Sequence, residues 1–106
     1  KFNEYQIKAR EFIIPTKDDQ MHYVLGLVEE SGEVAGKFKK MMRDNDNVIN
    51  NEIRNNIVKE LGDVLFYLAA LSAEIGVDLE SVAYGNLHKL HNRKLNNTLQ
   101  GSGDDR

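Results

Sequence analysis

The sequence predicts an all-α protein: a hairpin of two long helices with shorter helices on its flanks. Three observations carry that expectation. Apolar residues recur at helical spacing through two long segments, and the one proline, Pro15, lies ahead of both. No stretch alternates apolar and polar residues in the manner of a half-buried strand. A chain of 106 residues is about one domain's worth.

The first helix spans about residues 2 to 13, carries Phe2, Tyr5, Ile7, Phe12 and Ile13, and ends before Pro15. Thr16 or Asp18 caps the second, which runs to about Arg43. Its Met21, Val24, Leu25, Val28, Ala35, Phe38 and Met42 form one apolar stripe. The polar run "RDNDNVINN" favours turns over helix. The third helix covers about Glu52 to Ile75, with an apolar seam from Ile53 through Ile57, Leu61, Val64, Leu65, Leu68 and Leu71 to Ile75. Gly76 is placed to end it and Asp78 to cap a fourth helix reaching Leu95.

Residues 1–95 therefore read as a single domain, and 96–106, poor in apolar residues, as a mobile tail. Two long helices joined by a short loop make an antiparallel hairpin with a broad apolar face. Self-association, as a homodimer or homotetramer, would complete a four-helix-bundle core.

Composition narrows the function. A net charge of −3 argues against a protein that coats nucleic acid or an anionic membrane. The chain has no cysteine, which excludes thiolate chemistry and suits a reducing cytoplasm. No apolar run is long enough to cross a bilayer.

The stretch "LVEESGEVAGKFKK" sets Glu29, Glu30 and Glu33 within two turns of helix, where like charges repel. A second acidic pair at the same spacing, Glu60 and Asp63 in "ELGD", lies on the third helix. Glu60 falls at the edge of the apolar seam, about 20° from Ile53 on a helical wheel, so packing strips it of water. Two readings follow from the spacing alone. The acids are a solvated face offset by Lys37, Lys39 and Lys40, or they converge on a hard divalent cation, Mg²⁺ or Mn²⁺. His88 and His91 have zinc-ligand spacing but no cysteine or acid to complete a set. A di-iron bundle would want Glu-x-x-His pairs, which neither acidic motif supplies.

At "EESGE" and "ELGD" the chain resembles the MazG-like all-α nucleoside triphosphate pyrophosphohydrolases, whose marks are EExxE on one helix and ExxD on the next. "KELGDVLFYLAALSAEIGVDLESV" and "NLHKLHNRK" resemble further family segments, so the likeness covers about residues 20 to 95. The resemblance implies Mg²⁺-dependent hydrolysis of an NTP or dNTP to the monophosphate and pyrophosphate, with Mn²⁺ a substitute metal. It implies Glu30, Glu33, Glu60 and Asp63 as metal ligands, and Glu29 either as a support behind those ligands or as a group that helps orient and deprotonate the attacking water. It also assigns Asn86, Lys89 and Arg93, on one face of the fourth helix, to phosphate oxygens; Lys37 and Lys40, near the end of the second helix, are weaker candidates from their charge alone. Phe12 or Tyr23 is the expected neighbour of the base. The family's tryptophan near the third helix is absent, and Phe66 stands there. The competing reading is a catalytically silent helical oligomer that binds nucleotide or metal.

Overall fold

The computed structural model describes residues 1–105. Its order is α1 (Phe2–Ala9), a 3-10 turn over Arg10–Phe12, α2 (Asp19–Asp44), α3 (Asn51–Glu74) and α4 (Leu79–Leu95). The described residues hold no strand.

Side-chain caps fix where the three longer helices begin. The carboxylate of Asp18 accepts from the Met21 amide at 3.0 Å, and the Asn50 amide oxygen accepts from the Ile53 amide at 2.8 Å. Asp78 does the same for Ser81 at 2.8 Å. Each satisfies a first-turn N–H that the helix itself leaves without a partner. Of the two expected caps for α2, Asp18 takes the role, while Thr16 donates through its amide and hydroxyl to Asp19 at 2.7 and 2.9 Å.

The helix ends are equally local. Regular helix in α1 stops at Ala9, short of the expected residue 13, because the last turn tightens to 3-10 and Ile13 is extended ahead of Pro15. Gly76 ends α3 with a left-handed φ of 81°. In the α2–α3 loop, Asp46 and Asn47 take φ of 51° and 58°, a region that Asp and Asn tolerate better than other residues with a Cβ. The Asn45 side-chain amide donates to the Val48 carbonyl at 2.7 Å and closes that loop on itself.

The two long helices pack antiparallel, with Gly26 beside Tyr67 and Lys37 beside Glu60. In the hairpin α2 buries Tyr23, Gly26 and Met41, and α3 buries Ile57, Ala69, Ala70 and Ser72. Small residues at this seam let the backbones approach. The Tyr67 ring fills the space a side chain at Gly26 would need, and its edge meets His22, with ring centres 6.1 Å apart.

Gln6 ties α1 to the far end of the hairpin. Its buried amide donates to the carbonyls of Ala69 (3.2 Å) and Val77 (3.1 Å) and accepts from the Leu79 amide at 3.0 Å. A buried amide in apolar surroundings is tolerated because it is satisfied. Asn3 adds a two-way contact with Glu80, donating to its carboxylate at 3.3 Å and accepting from its amide at 3.1 Å.

The apolar stripe read from α2 points away from the rest of the chain: Leu25 is 61% exposed, Val28 65% and Met42 63%. Val58 and Leu61 of α3 are also exposed, so α2 and α3 meet through a different, smaller-residue face. At the C-terminal end, Asp104 accepts from Lys89 Nζ at 3.1 Å, and its main-chain carbonyl accepts from the buried Arg93 guanidinium at 2.8 Å.

Glycine substitutions at two sites should move stability in opposite directions. Gly26→Ala forces the Tyr67 ring aside and should lower stability by about 1–2 kcal/mol, overpacking outweighing the helix propensity gained. Gly85→Ala on α4 meets nothing and should raise it by about 1 kcal/mol. Thermal melts of both variants check the pair; a stabilised Gly26→Ala would contradict the close-packed seam.

Candidate active site

One turn beyond the Gly26–Tyr67 contact, the hairpin collects acids. Glu30 lies four residues after Gly26 on α2, and Asp63 four residues before Tyr67 on α3. Residues four apart share a helix face, so the packing that seats the ring also turns both carboxylates into the seam. Glu60, one turn from Asp63, joins them. Carboxylate oxygens of Glu30, Glu60 and Asp63 all lie within 4.8 Å of one another.

Glu30 and Glu60 are half-buried, with the Glu60 side chain 19% exposed; Asp63 is open to solvent. Partial burial is what the position of Glu60 beside the apolar seam requires. The nearest positive charge is Lys37, whose ammonium stands 3.9 Å from Glu60. Loss of water holds the Glu30 carboxyl above the usual carboxylate range, and contact with Glu60 and the charges of Asp63, Glu60 and Glu29 push the same way.

The donor set fits a hard cation. Oxygens 2.0–2.6 Å from a shared ion stand up to about 4–5 Å apart across it, the span this group has. All-oxygen donors favour Mg²⁺, Mn²⁺ or Ca²⁺ over softer metals. Glu33 and Glu29 sit exposed on α2, outside the group of three.

One neighbour was not legible in the spacing. Tyr5 of α1 is half-buried close enough to Asp63 that burial and then that charge raise its phenol above the ordinary value. In the sequence Tyr5 reads only as part of an apolar stripe, and nothing in the pattern says which helix covers the acids.

The fourth-helix candidates lie against other groups. Lys89 and Arg93 are engaged by Asp104, whose carboxyl the Lys89 hydrogen bond, the Lys89 charge and the Arg93 hydrogen bond hold below the usual carboxylate range. The Nε of Arg93 is buried without a hydrogen bond among the described residues. Asn86 borders an apolar cavity with Phe2, Leu65 and Leu68 where α1, α3 and α4 meet. Of the expected base neighbours, Phe12 is 73% exposed and Tyr23 is core at 3%.

The raised Glu30 group predicts a pH dependence. Below its ordinary value of 4.5, folded and unfolded chains both carry the proton and no stability is lost. As pH rises through the raised value the unfolded chain has already released its proton, so stability falls. With chelator present, Glu30→Gln should melt above the wild type at pH 7–8 and level with it at pH 4. Parallel melting curves across that range would contradict the crowding of these acids.

Comparison with known proteins agrees with the geometry. The MazG nucleotide pyrophosphohydrolase domain matches residues 19–97, which include α2, α3 and α4. The Gene 37 protein of Mycobacterium phage L5 is 47% identical over 85 residues, covering 80% of this chain and 75% of that protein. No solved structure matches. With its all-helical fold, its acids drawn together on two helices and the family match across most of its length, the chain belongs to the MazG nucleotide pyrophosphohydrolase family.

Proposed function

We propose that the protein hydrolyses a nucleoside triphosphate, NTP or dNTP, to the monophosphate and pyrophosphate in a Mg²⁺-dependent reaction. The observation that carries this reading is the meeting of Glu30, Glu60 and Asp63 within 4.8 Å, inside the segment that matches the family. These three carboxylates would hold the cation, which Mn²⁺ also suits. Glu33, one turn from Glu30, would complete the set by a rotamer change.

A bound divalent cation supplies charge neutralisation at the triphosphate and a lowered pKa for water. The chain's own groups do the rest. Glu29 would take the proton from a water that attacks the α-phosphorus. The bond from that phosphorus to the oxygen bridging the α and β phosphates breaks, and pyrophosphate leaves with that oxygen. Lys37, 3.9 Å from Glu60, would donate to a phosphate oxygen. Lys89 and Arg93 would reach phosphate only after Asp104 lets go of them, and Asn86 would join them from the same helix face.

We also propose that the exposed apolar stripe of α2 and α3 is where copies of the chain meet, as a homodimer or homotetramer. A nucleotide substrate suits the cytoplasm. No helix among the described residues is long and apolar enough to cross a membrane.

Purified protein incubated with each NTP and dNTP and Mg²⁺ should release pyrophosphate. Orthophosphate alone would contradict the proposed bond, and nucleotide binding without turnover would assign the protein to a silent binding role. Glu30→Ala, Glu60→Ala or Asp63→Ala should each lower kcat by about a hundredfold or more. The same loss in Glu33→Ala would bring Glu33 into the ligand set, and full activity would remove it. Sedimentation of Leu61→Glu should show smaller assemblies than the wild type; a wild type that is monomeric at high concentration would refute self-association.

A further inference from the structure

The segment that follows α4 folds back over the helix it leaves. We infer that residues 98–105 form an autoinhibitory strap, in which Asp104 holds Lys89 and Arg93 in place of substrate phosphate and is displaced when phosphate arrives. The inference rests on the proposed phosphate role of these two cations and adds what controls access to them. The strap begins just past residue 97, where the family match ends, so it is an addition to the matched domain.

Three observations carry it. The first is a built reversal. Asn97, just past α4, takes a left-handed φ of 55°. Its amide donates to the Lys94 carbonyl at 3.3 Å, and the Thr98 amide donates to the Arg93 carbonyl at 2.8 Å. This pair of bonds is the Schellman pattern, which satisfies the last carbonyls of a helix while turning the chain away from its axis. Gly101 and Gly103, with φ of 113° and 88°, supply two further bends that residues with a Cβ rarely make.

The second is where the strap lands. Lys89 and Arg93 stand one turn apart on α4. The Asp104 carboxylate accepts from Lys89 Nζ at 3.1 Å and from Arg93 Nη2 at 3.4 Å, and its main-chain carbonyl accepts from the same Nη2 at 2.8 Å. One strap residue thus engages both cations assigned to phosphate. Asp105, the next acid along, has no ion pair among the described residues, so the contact is particular to position 104.

The third is an imperfect fit. Asp104 meets the guanidinium through Nη2 alone, and Arg93 Nε is buried with no hydrogen bond among the described residues. A buried donor left unmet is unfavourable, more so on a charged group. A phosphate offers more charge and more acceptor oxygens than a carboxylate, and takes a guanidinium by two N–H groups at once. The Asp104 side chain is 83% exposed, so water and salt weaken its hold. The strap therefore biases the site toward closure and yields to a better anion. Closed about 80–90% of the time, it raises the apparent Kd of a competing anion about five- to tenfold.

The test uses pyrophosphate with Mg²⁺ and reads binding. In amide spectra of the full chain, residues 102–105 should move toward the positions of an unfolded segment as pyrophosphate is added. Asp104→Asn should bind pyrophosphate about fivefold more tightly than the wild type. Gly103→Ala strains the bend and alters no charge, and should also bind it more tightly. Asp105→Asn removes the same charge one residue away and should leave Kd within about twofold. Amides of 102–105 that stay in place while pyrophosphate binds would overturn the strap. So would equal gains in Asp104→Asn and Asp105→Asn, no gain in Asp104→Asn or Gly103→Ala, or no binding at millimolar pyrophosphate. If pyrophosphate opens the strap and no NTP or dNTP is hydrolysed, the proposed reaction falls and the strap stands.

Discussion

The arrangement of acids depends on how closely α2 and α3 approach, and that distance is set where the Tyr67 ring lies against the bare backbone of Gly26. A side chain at that position would push the helices apart one turn from the carboxylates. Because protein interiors are close-packed, displacement at one layer is passed to the next rather than absorbed. The same contact fixes register, since Gly26 and Tyr67 are each one turn from an acid that points into the seam. Packing thus does two things at once: it buries little, small surface, and it aims charge.

The electrostatic outcome is a group under tension. Three carboxylates share a part-dry spot, one of them pushed toward holding its proton, and Lys37 is the single ammonium ion-paired with them among the described residues. One ammonium near 4 Å does not neutralise three acids. A divalent cation together with Lys37 would match their formal charge, and the family to which the chain belongs makes such an ion a natural occupant. Elsewhere on the molecule the balance is reversed: the cations of α4 are answered from within the chain by Asp104.

Much of this was legible in the residues, for reasons that are local. Caps at Asp18 and Asp78, the stop at Gly76 and the polar loop after Arg43 are decided by a few neighbouring groups, so reading them needs no knowledge of the fold. Glu60 was also legible, because its place beside an apolar seam follows from helical spacing. What spacing hid were choices made between helices. The apolar stripe of α2 is real, yet it faces outward, since Gly26 and Tyr23 give α3 a closer fit. The approach of Tyr5 to Asp63 depends on where α1 lands, and the grip of Asp104 on α4 depends on a tail whose composition signals no packing.

Gln6 bonds to residues 63 to 73 positions away in the chain, whereas the hairpin joins neighbours across a short loop. Closing a long segment costs more entropy than closing a short one, so local pairings tend to form ahead of distant ones. The carboxylate group belongs wholly to the early-closing part. The carboxylates come from the hairpin alone, and the N-terminal helix adds a cover, with Tyr5 near Asp63 and Gln6 as a three-bond latch.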